Sequence, residues 1–184
     1  AILSIGCSVP RIWALLPRKN QPTYTRLFTI LKELAESLEP RFVIVDFEIA
    51  QYQGLLEVFP SVRPGFCLFH RGKNFFEQLE ELGLTKRFNT DDDYYIVISG
   101  LKALAFLRPQ DVIKAYDLIC ERTDENGRPY VCEKLKNYMD SYYIGKKKGL
   151  RSKVRALPTY QIEMWSVHQV CSLLALFYVL LLGC

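Results

Sequence analysis

The sequence predicts an α/β fold: an incomplete, mostly parallel sheet in the first part of the chain, followed by an all-helical insertion. Three observations predict it. The run Phe42–Val45 is apolar and largely β-branched between two stretches of helical periodicity. Prolines at positions 17, 40, 60 and 64 divide the early elements from one another. Beyond Gly83 strand signals cease while helical ones continue.

Taken in order, residues 11–16 read as a strand that Pro17 and the turn-like Arg18-Lys-Asn-Gln-Pro22 end. Over 23–38, Tyr24, Leu27, Phe28, Leu31, Leu34, Ala35 and Leu38 recur at helical spacing, and Pro40 stops the helix. Phe42–Val45 reads as a strand buried on both faces, with Asp46 where it leaves the sheet. Ligands of open α/β sheets bind at such carboxyl ends, so Asp46 is a candidate site acid, while an N-cap of the next helix is the equal alternative. Helices follow over 47–59 and 71–84, separated by Pro64, Gly65 and a short apolar piece at 66–69. Asp91-Asp92-Asp93 reads as a favourable acidic first turn for a helix over 94–107 rather than as a metal triad. Further helices are predicted over 111–122 and 131–143, with a turn at Asn126-Gly127.

A chain of 184 residues, 49% hydrophobic and 24% charged, suits one globular domain with a real core and room for a small appendage. Its net charge of +4 is local in origin. Six cations and no acid lie within residues 146–155 (Lys146, Lys147, Lys148, Arg151, Lys153 and Arg155), leaving the other residues at −2. Such a patch either contacts phosphates or is a solvated loop between helices, and the second reading is favoured. The six cysteines lack the density and spacing of a secreted disulfide scaffold, so reduced thiols in an intracellular protein are expected. The opening Ala-Ile-Leu-Ser-Ile-Gly has no basic leader and reads as no signal peptide, and the absence of an initial Met suggests a fragment or a processed chain.

The order of motifs carries more than any one of them. Val9-Pro10-Arg-Ile-Trp-Ala-Leu-Leu-Pro17, Thr23-Tyr24, an apolar strand ending in Asp46-Phe-Glu48, a helix ending in Phe59-Pro60, Cys67-x-x-His70, a helical stretch with Ala105-Phe-Leu-Arg-Pro109, and a late Met164-Trp165 resemble the transposase domain of Mutator-like elements (MULEs). The resemblance runs from about Val9 to His168. It implies a ribonuclease H-like fold and a three-carboxylate (DDE) site holding two divalent metals, such as Mg²⁺, for DNA cleavage and strand transfer. Asp46 matches the second acid. Glu48, two residues on, belongs to the family's Asp-Phe-Glu pattern but is not by resemblance a metal ligand; Cys67 and His70 match its Cys-x-x-His signature between the second and third acids, and Trp165 its late tryptophan.

A Cys-x-x-His pair supplies two of the four ligands of a structural zinc, so orientation of a helix beside the pocket is the favoured reading of Cys67 and His70. DNA is the implied partner, a homo-oligomer is compatible with the complete parent, and nuclear residence would follow if that parent is active. No membrane association is expected.

The chain departs from the family pattern at both ends. No Asp precedes residue 46, and no acid follows the tryptophan; Glu163, just before it, is rejected as a substitute. One carboxylate does not hold two Mg²⁺ ions, so the expected activity of the chain alone is nil. The central strand bearing the first acid would be missing, which predicts poor solubility or partial disorder. Residues 170–182 are nearly unbroken apolar sequence, shorter than the roughly 20 residues of a bilayer span. Intron read-through beyond Gln169 is one origin for that tail, tested by comparing spliced transcripts with genomic DNA. The predicted organisation is a partial core over 1–84, a helical insertion over 85–157, a return segment over 158–169 and a tail over 170–184. A non-catalytic DNA-binding or adaptor protein derived from a transposase is the alternative function.

Overall fold

The computed structural model describes residues 12–35, 37–149, 152 and 154–168. The chain divides into two units between Pro64 and Gly65. The predicted tail, with Gln169, lies outside the described residues.

In the first unit, α1 (Gln21–Leu34) starts at Asn20, whose side chain accepts from the Thr23 N–H at 3.1 Å, with Pro22 inside the first turn. The helix stops four residues short of the predicted end, because Ala35 leaves helical geometry and the Leu38 N–H turns back to the Ala35 carbonyl. Strand β1 (Phe42–Val45) falls on the predicted residues, and α2 (Ile49–Val58) follows. β1 pairs with β2 (Arg63–Phe66), which runs across the division, in a two-stranded parallel sheet. The α/β class therefore holds. Tyr24, Val45, Leu55, Phe59 and Val62 are the buried side chains among the described residues of this unit.

Two expectations are overturned here. The described residues 12–16 of the first predicted strand are irregular, and Ile12, Trp13 and Leu15 are exposed. An apolar run becomes a strand only when a neighbour pairs its N–H and C=O groups, and among the described residues this segment has none. Nor is β1 buried on both faces, because its pleat sends Phe42 and Ile44 outward (40% and 61% exposed) and Val45 inward (3%). Only one face of the strand is covered by described residues.

The second unit is helical. α3 (Leu68–Glu81) begins three residues before the predicted start and is closed by Gly83 at φ +68°. A short α4 (Thr85–Thr90) was not predicted; six residues with one buried side chain, Phe88, show no readable period. α5 (Asp92–Ala103) follows the acidic run as expected, since the Asp91 side chain caps the Tyr94 N–H at 2.9 Å and Asp92 and Asp93 occupy the first turn. A 3₁₀ turn (Leu104–Phe106), α6 (Pro109–Cys120) and α7 (Glu133–Met139) come next. A π turn over Asp140–Ile144 extends α7, and α8 (Ile162–Trp165) closes the described chain.

The core of this unit is built on Phe75, Leu79, Ile98, Leu101, Val112, Tyr116, Leu135, Met139, Tyr143 and Trp165. The return segment is stitched on by backbone bonds from Tyr160 to Tyr142 at 2.8 Å and from Val167 to Ala105 at 2.8 Å. Among the described residues no helix is long and apolar enough to cross a membrane.

Candidate functional site

Asp46 is the first residue past β1 and is exposed. Its N–H donates to the Gln51 side-chain oxygen at 3.2 Å, and its carbonyl accepts from the Glu48 N–H at 2.7 Å. That tight turn puts Glu48 at the N-cap position of α2, so Asp46 stands two residues outside the helix. The placement favours the strand-exit reading of Asp46 over the capping one.

Glu48 does not cap with its side chain. Its Oε2 accepts from the Tyr24 hydroxyl at 2.9 Å, tying the loop after β1 to α1. Burial, then the Glu48 hydrogen bond and the nearby Glu48 and Asp46 charges, push the Tyr24 phenol up to about 12. Tyr24 is thus a site residue that sequence reasoning missed as a partner of Glu48. The two lie 24 positions apart, and no local pattern couples them.

In the second unit, Cys67 occupies the N-cap position of α3 and His70 the first turn. The predicted start at 71 left both outside the helix, whereas α3 takes in His70 and has Cys67 as its N-cap. The Cys67 side chain makes no cap hydrogen bond, while its carbonyl accepts the Arg71 N–H at 3.0 Å. The His70 ring stands edge-on to Phe69, with centroids 5.5 Å apart.

The neighbour of His70 is the surprise. Arg71 is 4% exposed and reaches the last turn of α5, where Nη1 donates to the Lys102 carbonyl at 2.9 Å and Nη2 to the Leu101 carbonyl at 3.1 Å. A helix C-terminus carries partial negative charge, which suits a buried cation. The guanidinium lies 4.5 Å from the Trp165 ring centroid and 5.3 Å from that of Tyr143. Burial lowers its proton affinity to a pKa of about 10, still charged at neutral pH. Trp165, itself 1% exposed, donates from Nε1 to the Tyr160 carbonyl at 3.1 Å. The late tryptophan of the motif order is therefore part of a packed brace around Arg71.

The basic loop is not uniform. Lys146, Lys147 and Lys148 are exposed, and Arg151 and Lys153 lie outside the described residues. Arg155 departs from the expected phosphate-facing set: its side chain is 6% exposed and pairs with Asp117 and, at 3.1 Å, with Asp140. Lys147 shares Asp117 at 3.2 Å. A cation buried between two carboxylates has its charge already answered.

Among the described residues no group of three or more His, Cys, Asp or Glu side chains is arranged to hold a metal ion. The acid matching the second family position is Asp46, and the neighbouring Glu48 is engaged by Tyr24. Two divalent cations need several shared oxygens, so the described donor set does not fit a two-metal site. His168, the other histidine of the sequence, has its Nδ1 3.1 Å from the Phe106 carbonyl oxygen.

No curated protein and no solved structure matches this chain. Residues 3–74, a stretch that holds Tyr24, Asp46, Glu48, Cys67 and His70 but neither the basic loop nor Trp165, match the family model of the MULE transposase domain, the family whose motif order the sequence resembles.

Proposed function

We propose that this chain is part of a Mutator-like DNA transposase, in which residues 1–84 contribute a portion of a ribonuclease H-like core and Asp46 is the second of three acids. The observation that carries this reading is the coincidence of the family match over 3–74 with an exposed Asp46 at the exit of β1. In this reading 85–157 is an insertion, 158–169 returns to the core, and the complete protein works on nuclear DNA with divalent metal.

Because the described donors do not fit two cations, the chain alone is expected not to cleave DNA. Supercoiled plasmid incubated with the protein and Mg²⁺ or Mn²⁺ should stay intact. Metal-dependent nicking that disappears in Asp46→Asn would show that the chain already holds a working site, and would overturn the incomplete-site reading. Supplying the two remaining acids on added transposase segments should restore nicking, again lost in Asp46→Asn.

A second reading, a non-catalytic DNA-binding protein on a transposase scaffold, is favoured by the exposed Lys146 and Lys148. Salt-sensitive binding of a short duplex without restored nicking would support it.

A further inference from the structure

The described cations of residues 146–155 divide into two kinds. Backbone bonds from Lys148 N–H to Val154 C=O (3.0 Å) and from Ala156 N–H to Lys146 C=O (2.8 Å), with an antiparallel bridge between Lys147 and Arg155, close the loop into a hairpin. Its base is fixed twice. Gly145 has φ +93° and lies so close to the Ala156 carbonyl that any Cβ would collide with it. Arg155 turns inward from the far strand, its Nη1 donating to the Gly145 carbonyl at 2.7 Å and to Asp140 at 3.1 Å, its Nη2 to Asp117 on α6.

Arg155 and Lys147 against Asp117 and Asp140 make a neutral cluster, so neither cation adds to the field that the hairpin shows to solvent. Lys146 and Lys148 form no ion pair with a described residue and are exposed.

We propose that Arg155 is a positioning residue, a clamp that preorganises the paired legs 145–148 and 154–156, and that the phosphates of duplex DNA are met by Lys146 and Lys148 rather than by Arg155. This rests on the DNA-binding reading above and divides the roles within it. A preformed hairpin presents its lysines without first losing loop entropy, so opening the clamp weakens binding although no phosphate contact is removed. Each phosphate contact, by contrast, sets the salt dependence, with a slope of about −0.9 per neutralised phosphate in log K against log salt.

The test uses the full chain and a fluorescent duplex, titrated at several salt concentrations, together with amide hydrogen exchange at Lys148 and Ala156. Lys146→Ala with Lys148→Ala should flatten the slope by roughly two and leave exchange at those amides slow. Arg155→Gln should weaken binding several-fold at every salt, keep the wild-type slope and speed exchange at both amides. A slope flattened by about one in Arg155→Gln, with exchange unchanged, would overturn the proposal by making Arg155 a phosphate ligand. Where Arg155→Gln fails to fold, Asp140→Asn, which leaves the Asp117 contact, is read by exchange alone: faster exchange at Lys148 and Ala156 supports the clamp, and unchanged exchange overturns it. A wild-type chain that binds no duplex sinks the DNA reading and with it the lysine assignment, while exchange in Arg155→Gln still decides the clamp: slow exchange there overturns it.

Discussion

Replacing Gly54 with alanine sets a gain against a cost whose sizes come from different parts of the structure. Gly54 is buried in α2, where alanine relieves a helix-interior glycine by about 0.5–1 kcal/mol. Its new Cβ would stand 2.8 Å from the Tyr24 Cβ and 2.9 Å from the Thr25 backbone nitrogen on α1. Ordinary contact begins near 3.4 Å, so α1 would have to retreat by roughly 0.6 Å from atoms that lie on or next to its backbone. Forced repacking of that kind costs about 1–3 kcal/mol. The retreat also stretches the 2.9 Å bond from the Tyr24 hydroxyl to Glu48, of a class contributing about 1.5–3 kcal/mol when intact. With part of that bond lost, the cost exceeds the gain, and a net destabilisation of about 1–3 kcal/mol is expected. Gly72 in α3 is the control, because nothing lies within 4 Å of the Cβ it would acquire. Gly72→Ala should therefore stabilise by about 0.5–1 kcal/mol. Urea unfolding followed by circular dichroism measures both, and a Gly54→Ala chain whose midpoint rises as that of Gly72→Ala does would refute the close packing of α1 on α2.

Three further outcomes are expected. Tyr24 has its phenol pushed from 10.0 up to about 12, so the folded chain keeps a proton that the unfolded chain loses; that stabilisation is whole below pH 10 and is lost as pH rises through about 12. The melting temperature of Tyr24→Phe should thus fall less steeply than that of the wild type over this range, and equal slopes would contradict the shift. Arg71→Met removes two charge-assisted bonds and two ring contacts while relieving a buried charge, for a net loss of about 2–4 kcal/mol read from urea midpoints; no loss would mean that the brace to Trp165 is incidental. Gly145→Ala combines a positive φ with a collision against the Ala156 carbonyl, and should destabilise by roughly 2–4 kcal/mol with faster exchange at the Ala156 amide, an outcome that unchanged stability would exclude.

The sequence by itself determined what depends on neighbours along the chain. Asp91 capped α5 behind the predicted acidic run, because helix caps are decided within a few positions, and the β-branched run became β1 on its predicted residues where β2 pairs with it. The order of motifs from about Val9 to His168 pointed to the MULE transposase domain, whose family model matches residues 3–74. The tertiary structure decided which charges are answered and by what. Glu48 is held by a tyrosine 24 residues earlier, Arg71 by carbonyls 30 and 31 residues later, and Arg155 by an aspartate 38 residues away. In the sequence Arg155 is one of six like charges in a basic run, and only the fold separates it from Lys146 and Lys148. The reason is that burial and ion pairing are set by distances in space, which the spacing of residues along a chain does not encode.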